Sequence, residues 1–246
     1  MPPLHDHESP ASWVTRAALS QGVSADELMA YFGLPVNCDP DLMIVGSALP
    51  DVIERSGLSM SSFSFAEHMF SGLKSIDPNG ENLLLWTKNG RSRYRFCPLC
   101  LHESDCPYFP LHWRFKAWRW CPIHDCLLSD YCPHCHREVI LPGSMITGGR
   151  KNEGVPYLNQ CLHCAENLDA DLESAERVML EESFRGWEEA VLINGRAVLA
   201  AVFHRKFSII GRDRQYELKD LMRLKQIGLV PLDLLLLPAI NLRSNY

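Results

Sequence analysis

Four short pairs between residues 97 and 164 decide the fold: Cys97-Pro-Leu-Cys100, Cys121-Pro-Ile-His124, Cys132-Pro-His-Cys135 and Cys161-Leu-His-Cys164. A two-residue spacer lets one tight turn aim both donors at a single cation and its own amides at the thiolates. Two such turns complete the tetrahedral Cys and His set that Zn²⁺ prefers. Twenty residues separate Cys100 from Cys121 and 25 separate Cys135 from Cys161, room for a ribbon-like hairpin in each case. The order along the chain predicts one site from Cys97, Cys100, Cys121 and His124, and a second from Cys132, Cys135, Cys161 and Cys164. Spacing alone also permits the first pair to join the third and the second the fourth. Cys106 and Cys126 lie near enough in sequence to substitute for a ligand of the first site, although ordinary buried thiols are the simpler reading. Cys38 stands alone among helical patterns and reads as a small apolar side chain. His134 and His163 are expected at the surface, and His102, His112 and His136 receive no role.

These donor sets bear on chemistry. A catalytic zinc keeps one position open for water, whereas both sites here are filled by four protein donors. The chain has no HExxH, no HxE followed by PCxxC, no GxxxxGK[ST] and no GxGxxG. A redox CxxC usually opens a helix beside a βαβ unit, and no such unit is visible. The sequence therefore predicts two structural Zn²⁺ ions that contribute folding free energy, in a binding adaptor rather than an enzyme. With ten cysteines and no signal-peptide pattern at MPPLHDHESP, the reduced cytoplasm is the expected location. The longest apolar run, Leu229 to Leu242, is interrupted by Pro231 and Pro238 and is too short to span a membrane.

Outward from the pairs, the composition divides the 246 residues into three. Residues 1–75 read as a helical domain of helix-turn-helix type. One helix covers Ser12 to Gln21 and stops at Gly22. Ser24 and Glu27 form a capping box for the next, which ends at Gly33. A further helical stretch spans Asp41 to Arg55 with Gly57 as terminator, and Ser59 caps a helix through Phe63 to Met69. Residues 76–168 form the tandem zinc-finger domain, introduced by a hairpin of Leu83–Thr87 and Arg93–Phe96 around Asn89-Gly90. Gly143 to Gly154 reads as an exposed loop. Residues 169–246 read as helical, with helices over Glu173–Ala190, Gly195–Phe207 and Leu218–Ile227. The fold class is thus mainly α with small zinc-bound β-ribbons.

The net charge of −6 argues against a chain that coats nucleic acid along its whole length. Residues 1–60 hold eight acids and two bases, residues 88–120 seven bases and two acids, and residues 204–225 seven bases and three acids. Within Pro107–Trp120, Trp113, Phe115, Trp118 and Trp120 are expected to fill the small core of the first module. Arg114, Lys116 and Arg119 are candidates for phosphate or acidic-protein contact, as are Arg212 and Arg214 further on.

The ordered run Phe96-Cys97-Pro98-Leu99-Cys100-Leu101, Pro107-Tyr108-Phe109, Trp113-Arg114, Cys121-Pro122-Ile123-His124, Leu127 and Cys132-Pro133-His134-Cys135 resembles the TniQ family, over about residues 10–165. That family includes the TnsD-type target selectors of bacterial transposons. The resemblance implies a non-catalytic transposition factor that links target recognition to an AAA+ ATPase regulator and thereby to a transposase. Members bind an attachment site on target DNA or are carried by an RNA-guided Cascade or Cas effector, and can act as homodimers. It implies zinc ligation at the eight paired positions. The alternative function is a sequence-specific zinc-finger and helix-turn-helix DNA binder acting on its own. The chain is shorter than many family members, which puts a C-terminal DNA-reading domain in doubt.

Overall fold

Punctuation in the sequence shapes the first 76 residues. Helix α1 (Pro10–Gln21) starts at Ser9, whose hydroxyl accepts from the Ser12 amide, and ends at Gly22 with φ 67°. Helix α2 (Ala25–Tyr31) opens with the expected capping box. Glu27 accepts from the Ser24 amide at 2.8 Å while the Ser24 hydroxyl accepts from the Glu27 amide at 3.2 Å. The helix expected over Asp41–Arg55 is instead two, α3 (Pro40–Met43) and α4 (Leu49–Ser56). Pro50 explains the break, since inside a continuous helix it would lack the N–H for the Gly46 carbonyl and clash with it. In the first turn of α4 it does neither. Helix α5 (Met60–Ile76) follows Ser59, whose hydroxyl meets those of Ser61 and Ser62 rather than capping the backbone.

The structure, a computed structural model, describes residues 1–35, 37–143, 158–169, 185–209 and 212–228. The loop expected to Gly154, most of the helix expected over Glu173–Ala190 and the run Leu229–Leu242 lie outside the described residues. Among the described residues no helix is long and apolar enough to cross a membrane.

In the middle of the chain, Gly90 (φ 71°) turns the backbone so that Trp86 bridges Ser92. The strand beyond it, β1 (Arg93–Tyr94), pairs antiparallel with β4 (Val139–Ile140). Helix α6 (Pro98–Glu103) begins directly after Cys97, and a 3₁₀ turn covers Leu111–Arg114. Strands β2 (Trp120–Cys121) and β3 (Cys126–Leu127) pair antiparallel, with Cys121 opposite Cys126.

The C-terminal part departs most from its sequence pattern. Helix α7 (Arg185–His204) runs straight through Gly195. An added Cβ there would stand 2.9 Å from the Ala117 carbonyl oxygen and 3.2 Å from a Trp118 ring carbon. Gly195 is therefore a point of close approach rather than the start of a separate helix. Gly72 on α5 does the same for the other side of α7, where a Cβ would meet the Val202 carbonyl at 2.5 Å. The helix expected to reach Phe207 ends at Arg205 (φ 62°). Strand β5 (Lys206–Ser208) then pairs with β6 (Gln215–Glu217), where Phe207 stacks on Tyr216 at 5.5 Å. Aromatic cross-strand pairing supplies contact that one more helical turn would lack. Helix α8 (Asp220–Gln226) closes the described chain, with Gly228 (φ 74°) just beyond it.

Two cores result. Trp13 centres the first, stacked on Phe32 at 5.5 Å and edge-on to Phe63 at 5.3 Å, with Leu28, Ile44 and Val52 around it. The second draws on every segment: Phe70 and Leu73 of α5, Phe96 and Phe115 of the cysteine-rich part, Val202 of α7 and Leu221 of α8. Trp113, Phe115, Trp118 and Trp120 are all buried, as expected of rings filling the first module.

Candidate metal centres

Three of the four donor pairs are built as turns whose fifth residue reverses the chain. Asp125, His136 and Ala165 follow His124, Cys135 and Cys164 with φ of 50°, 55° and 64°. His136 donates its amide to the Cys132 carbonyl at 3.0 Å, and Ala165 to that of Cys161 at 2.9 Å. The first pair instead continues into α6, with the Leu101 amide on the Cys97 carbonyl at 3.2 Å. All four turns thus point their donors inward by local geometry that the two-residue spacer permits.

The structure brings Cys97, Cys100, Cys121 and His124 together, and separately Cys132, Cys135, Cys161 and Cys164; within each group all donor atoms lie inside 4.8 Å of one another. Pairs therefore join in sequence order and not in the crossed arrangement. Two sulfurs each about 2.3 Å from an ion at tetrahedral angles stand about 3.8 Å apart, and sulfur and imidazole nitrogen about 3.5 Å. Cys100 and Cys121 Sγ are 3.6 Å apart, Cys132 and Cys164 3.7 Å, and Cys135 and Cys161 3.7 Å. His124 Nδ1 lies 3.5 Å from Cys97 Sγ and 3.6 Å from Cys121 Sγ. The donors present therefore fit two four-coordinate metal ions.

Surroundings differ between the groups. His124 turns Nδ1 to the thiols and donates Nε2–H to Glu103 Oε2 at 2.9 Å, the carboxylate–histidine arrangement that orients a metal-bound imidazole. Burial pulls the His124 pKa down, but Glu103 and Cys121 outweigh it and hold the free imidazole near about 9. The Cys97 thiol is drawn down to about 7 by its hydrogen bond with Cys100, so thiolate character appears near neutral pH. The second group is all sulfur, and His134 and His163 are exposed beside it, as expected.

The basic candidates separate into three kinds. Arg114 is fully buried, and this corrects its assignment as a surface contact. Its guanidinium pairs with Asp39 at 2.7 Å and Asp41 at 2.6 Å, and lies over Trp86 at 4.9 Å. Burial opposes its charge, yet Asp39 and Asp41 hold it protonated far above the ordinary range. Tyr94 donates to Asp41, and the Ala11 amide does so at 2.8 Å, so the cluster ties the N-terminal helices to the cysteine-rich part. Lys116 and Arg119 are half-buried on a groove of about 680 Å³ that also takes in Trp86, Lys88, Arg93 and Arg95. Lys116 Nζ donates to the Glu81 carbonyl at 2.7 Å. Arg212 and Arg214 are exposed between β5 and β6, with Arg214 over the Tyr216 ring at 5.3 Å.

Sequence reasoning missed Glu103, Asp39 and Asp41, because partners distant in the chain leave no spacing signal. His112, given no role, is wedged against Trp118 at 4.7 Å, and burial together with His7 lowers its pKa to about 4. Of the two spare thiols, Cys106 is exposed beside His5 at 3.4 Å, whereas Cys126 is fully buried 3.7 Å from Cys97 Sγ.

No curated protein matches the chain. The TniQ family model matches residues 1–128, from the N-terminal helices through the first donor group, and leaves Cys132 to Cys164 beyond its end. With more than half of its length covered, the chain belongs to the TniQ family.

Proposed function

We propose that this chain is a non-catalytic transposition factor that links target-site recognition to an AAA+ transposition regulator and its transposase. The observation that carries this reading is family membership over residues 1–128. The family is one of transposition-associated, non-catalytic proteins. Both metal centres offer four protein donors, as a structural ion needs. Zn²⁺ is the ion that suits a Cys₃His and a Cys₄ set, and its role here is to supply folding free energy.

The charge distribution favours an adaptor placed between unlike partners. The N-terminal helices are acidic and suit a basic protein surface, which steers association. The groove around Lys88, Arg93, Lys116 and Arg119 suits an anionic one, nucleic-acid phosphate or an acidic protein. A second reading, autonomous sequence-specific DNA binding, draws support from Arg212 and Arg214, exposed between β5 and β6. Direct docking on a Cascade or Cas effector, and a homodimer, belong to the same proposal.

Sedimentation of the zinc-loaded chain with DNA, with and without the AAA+ ATPase and ATP, separates the two. Co-sedimentation that requires the ATPase is the expected result. Equal binding to bare DNA, falling steeply with salt, would replace the adaptor reading by the autonomous one. Lys116→Glu with Arg119→Glu is expected to weaken whichever anionic partner the groove holds.

A further inference from the structure

A further thiol, Cys126, lies against the first metal centre without belonging to its four-donor group. Cys126 lies opposite Cys121 across the β2–β3 ribbon, and its Sγ stands 3.7 Å from Cys97 Sγ. That separation matches the Cys–Cys contacts inside the two donor groups, 3.6 and 3.7 Å. The side chain is fully buried, on the core side of the centre. His124 is less enclosed, its side chain 11% exposed and steadied by Glu103, whose own side chain is 62% exposed. Cys126 already touches one ligand of the centre, Cys97, and faces another, Cys121, across the ribbon.

We infer that the first centre has two ligand sets, one of Cys97, Cys100, Cys121 and His124, the other with Cys126 in place of His124. The inference rests on the reading of this group as a metal centre. In the exchange, the bond from the ion to His124 Nδ1 breaks and a bond to Cys126 Sγ forms. The thiol proton of Cys126 passes to the freed imidazole, so the protein's proton count is unchanged. The class of ion that drives the exchange is a soft, thiophilic one such as Cd²⁺, because sulfur displaces nitrogen most readily around soft metals. Zn²⁺, which accepts both sets, remains bound when His124 is lost.

The test is metal content of the full chain, measured on the wild type, His124→Ala, Cys126→Val and the double variant. Wild-type protein should carry two ions, which tests the metal-centre reading by itself; fewer would overturn that reading first. His124→Ala should also carry two. Loaded with Co²⁺, it should show thiolate-to-metal absorption increased by about one part in seven, since seven thiolates become eight. Cys126→Val should keep two ions and the wild-type spectrum, and the double variant should fall to one. A single His124→Ala variant already at one ion, or a double variant still at two, overturns the exchange. X-ray absorption of the wild-type chain loaded with Cd²⁺ needs no variant to fold. All-sulfur coordination supports the second ligand set, and a retained nitrogen overturns it.

Discussion

The Trp13 core and the cysteine-rich region solve the same problem by different means. In the Trp13 core, thirteen buried apolar side chains between Trp13 and Phe63 pack on one another, with Ser9, Ser24 and Gly57 closing helix ends. Among the described residues between Arg93 and Leu168, the regular structure comes down to two-residue strands, one helix of six residues and one 3₁₀ turn of four. Strands of that length cannot hold themselves, so two four-donor centres take over the work of fixing the chain. Helix packing tolerates the loss of one contact gradually, while a region tied at two points fails when either tie is lost.

The largest effect should come from removing metal. A strong chelator should abolish the fold of residues 93–168, a loss of about 10–16 kcal/mol per structural ion, and change the fluorescence of Trp113, Trp118 and Trp120. Helical circular dichroism from α1 to α5 should persist; if it vanishes in the same transition, the two regions are one cooperative unit. Next comes Arg114→Ala, which leaves Asp39 and Asp41 buried without their partner and should cost about 3–5 kcal/mol in a denaturant titration. Because this cluster joins the two regions, both should lose stability together.

Acid offers a third probe, specific to the cysteine-rich side. Neutral His112 titrates near about 4 in the fold against 6.5 unfolded, so between those values the unfolded chain binds the extra proton. Stability should therefore fall as pH drops from 6.5 towards 4, by about 1.4 kcal/mol per unit at most. His112→Phe should flatten that slope. Gly195→Ala is smaller: overpacking against Ala117 and Trp118 costs about 1–3 kcal/mol, offset by about 1 gained in helix propensity. Thermal melts should show a net loss on the cysteine-rich side. Smallest is Ser24→Ala, about 1 kcal/mol from the lost capping box, and it should leave metal content untouched.

Most of the metal chemistry was legible in the chain because its signals are local. A CxxC turn needs only two residues between donors, and a serine–glutamate capping box only three positions. Pro50 carries an equally local signal, although helical spacing by itself reads one helix where α3 and α4 are. Gly195, where the sequence pattern starts a helix, lies inside α7, and only the position of Trp118 shows that the glycine serves close approach. The Phe207–Tyr216 ribbon pairs residues nine positions apart, which helical periodicity does not signal.

The sequence by itself determined eight donors in four turns, the ends of α1 and the capping box of α2, the burial of Trp113, Trp118 and Trp120, and the family. Tertiary structure alone decided three things. It put Arg114 in the interior, because Asp39 and Asp41 come to it from more than 70 residues away. It drew α5 into the core of the cysteine-rich and C-terminal parts, because α5 and α7 approach closely at Gly72. It also set Cys126 rather than Cys106 beside the first centre, because the β2–β3 register brings Cys126 opposite a ligand and no rule of spacing does. Each of these depends on side chains meeting across the fold, and energies of that kind are not written in any local pattern.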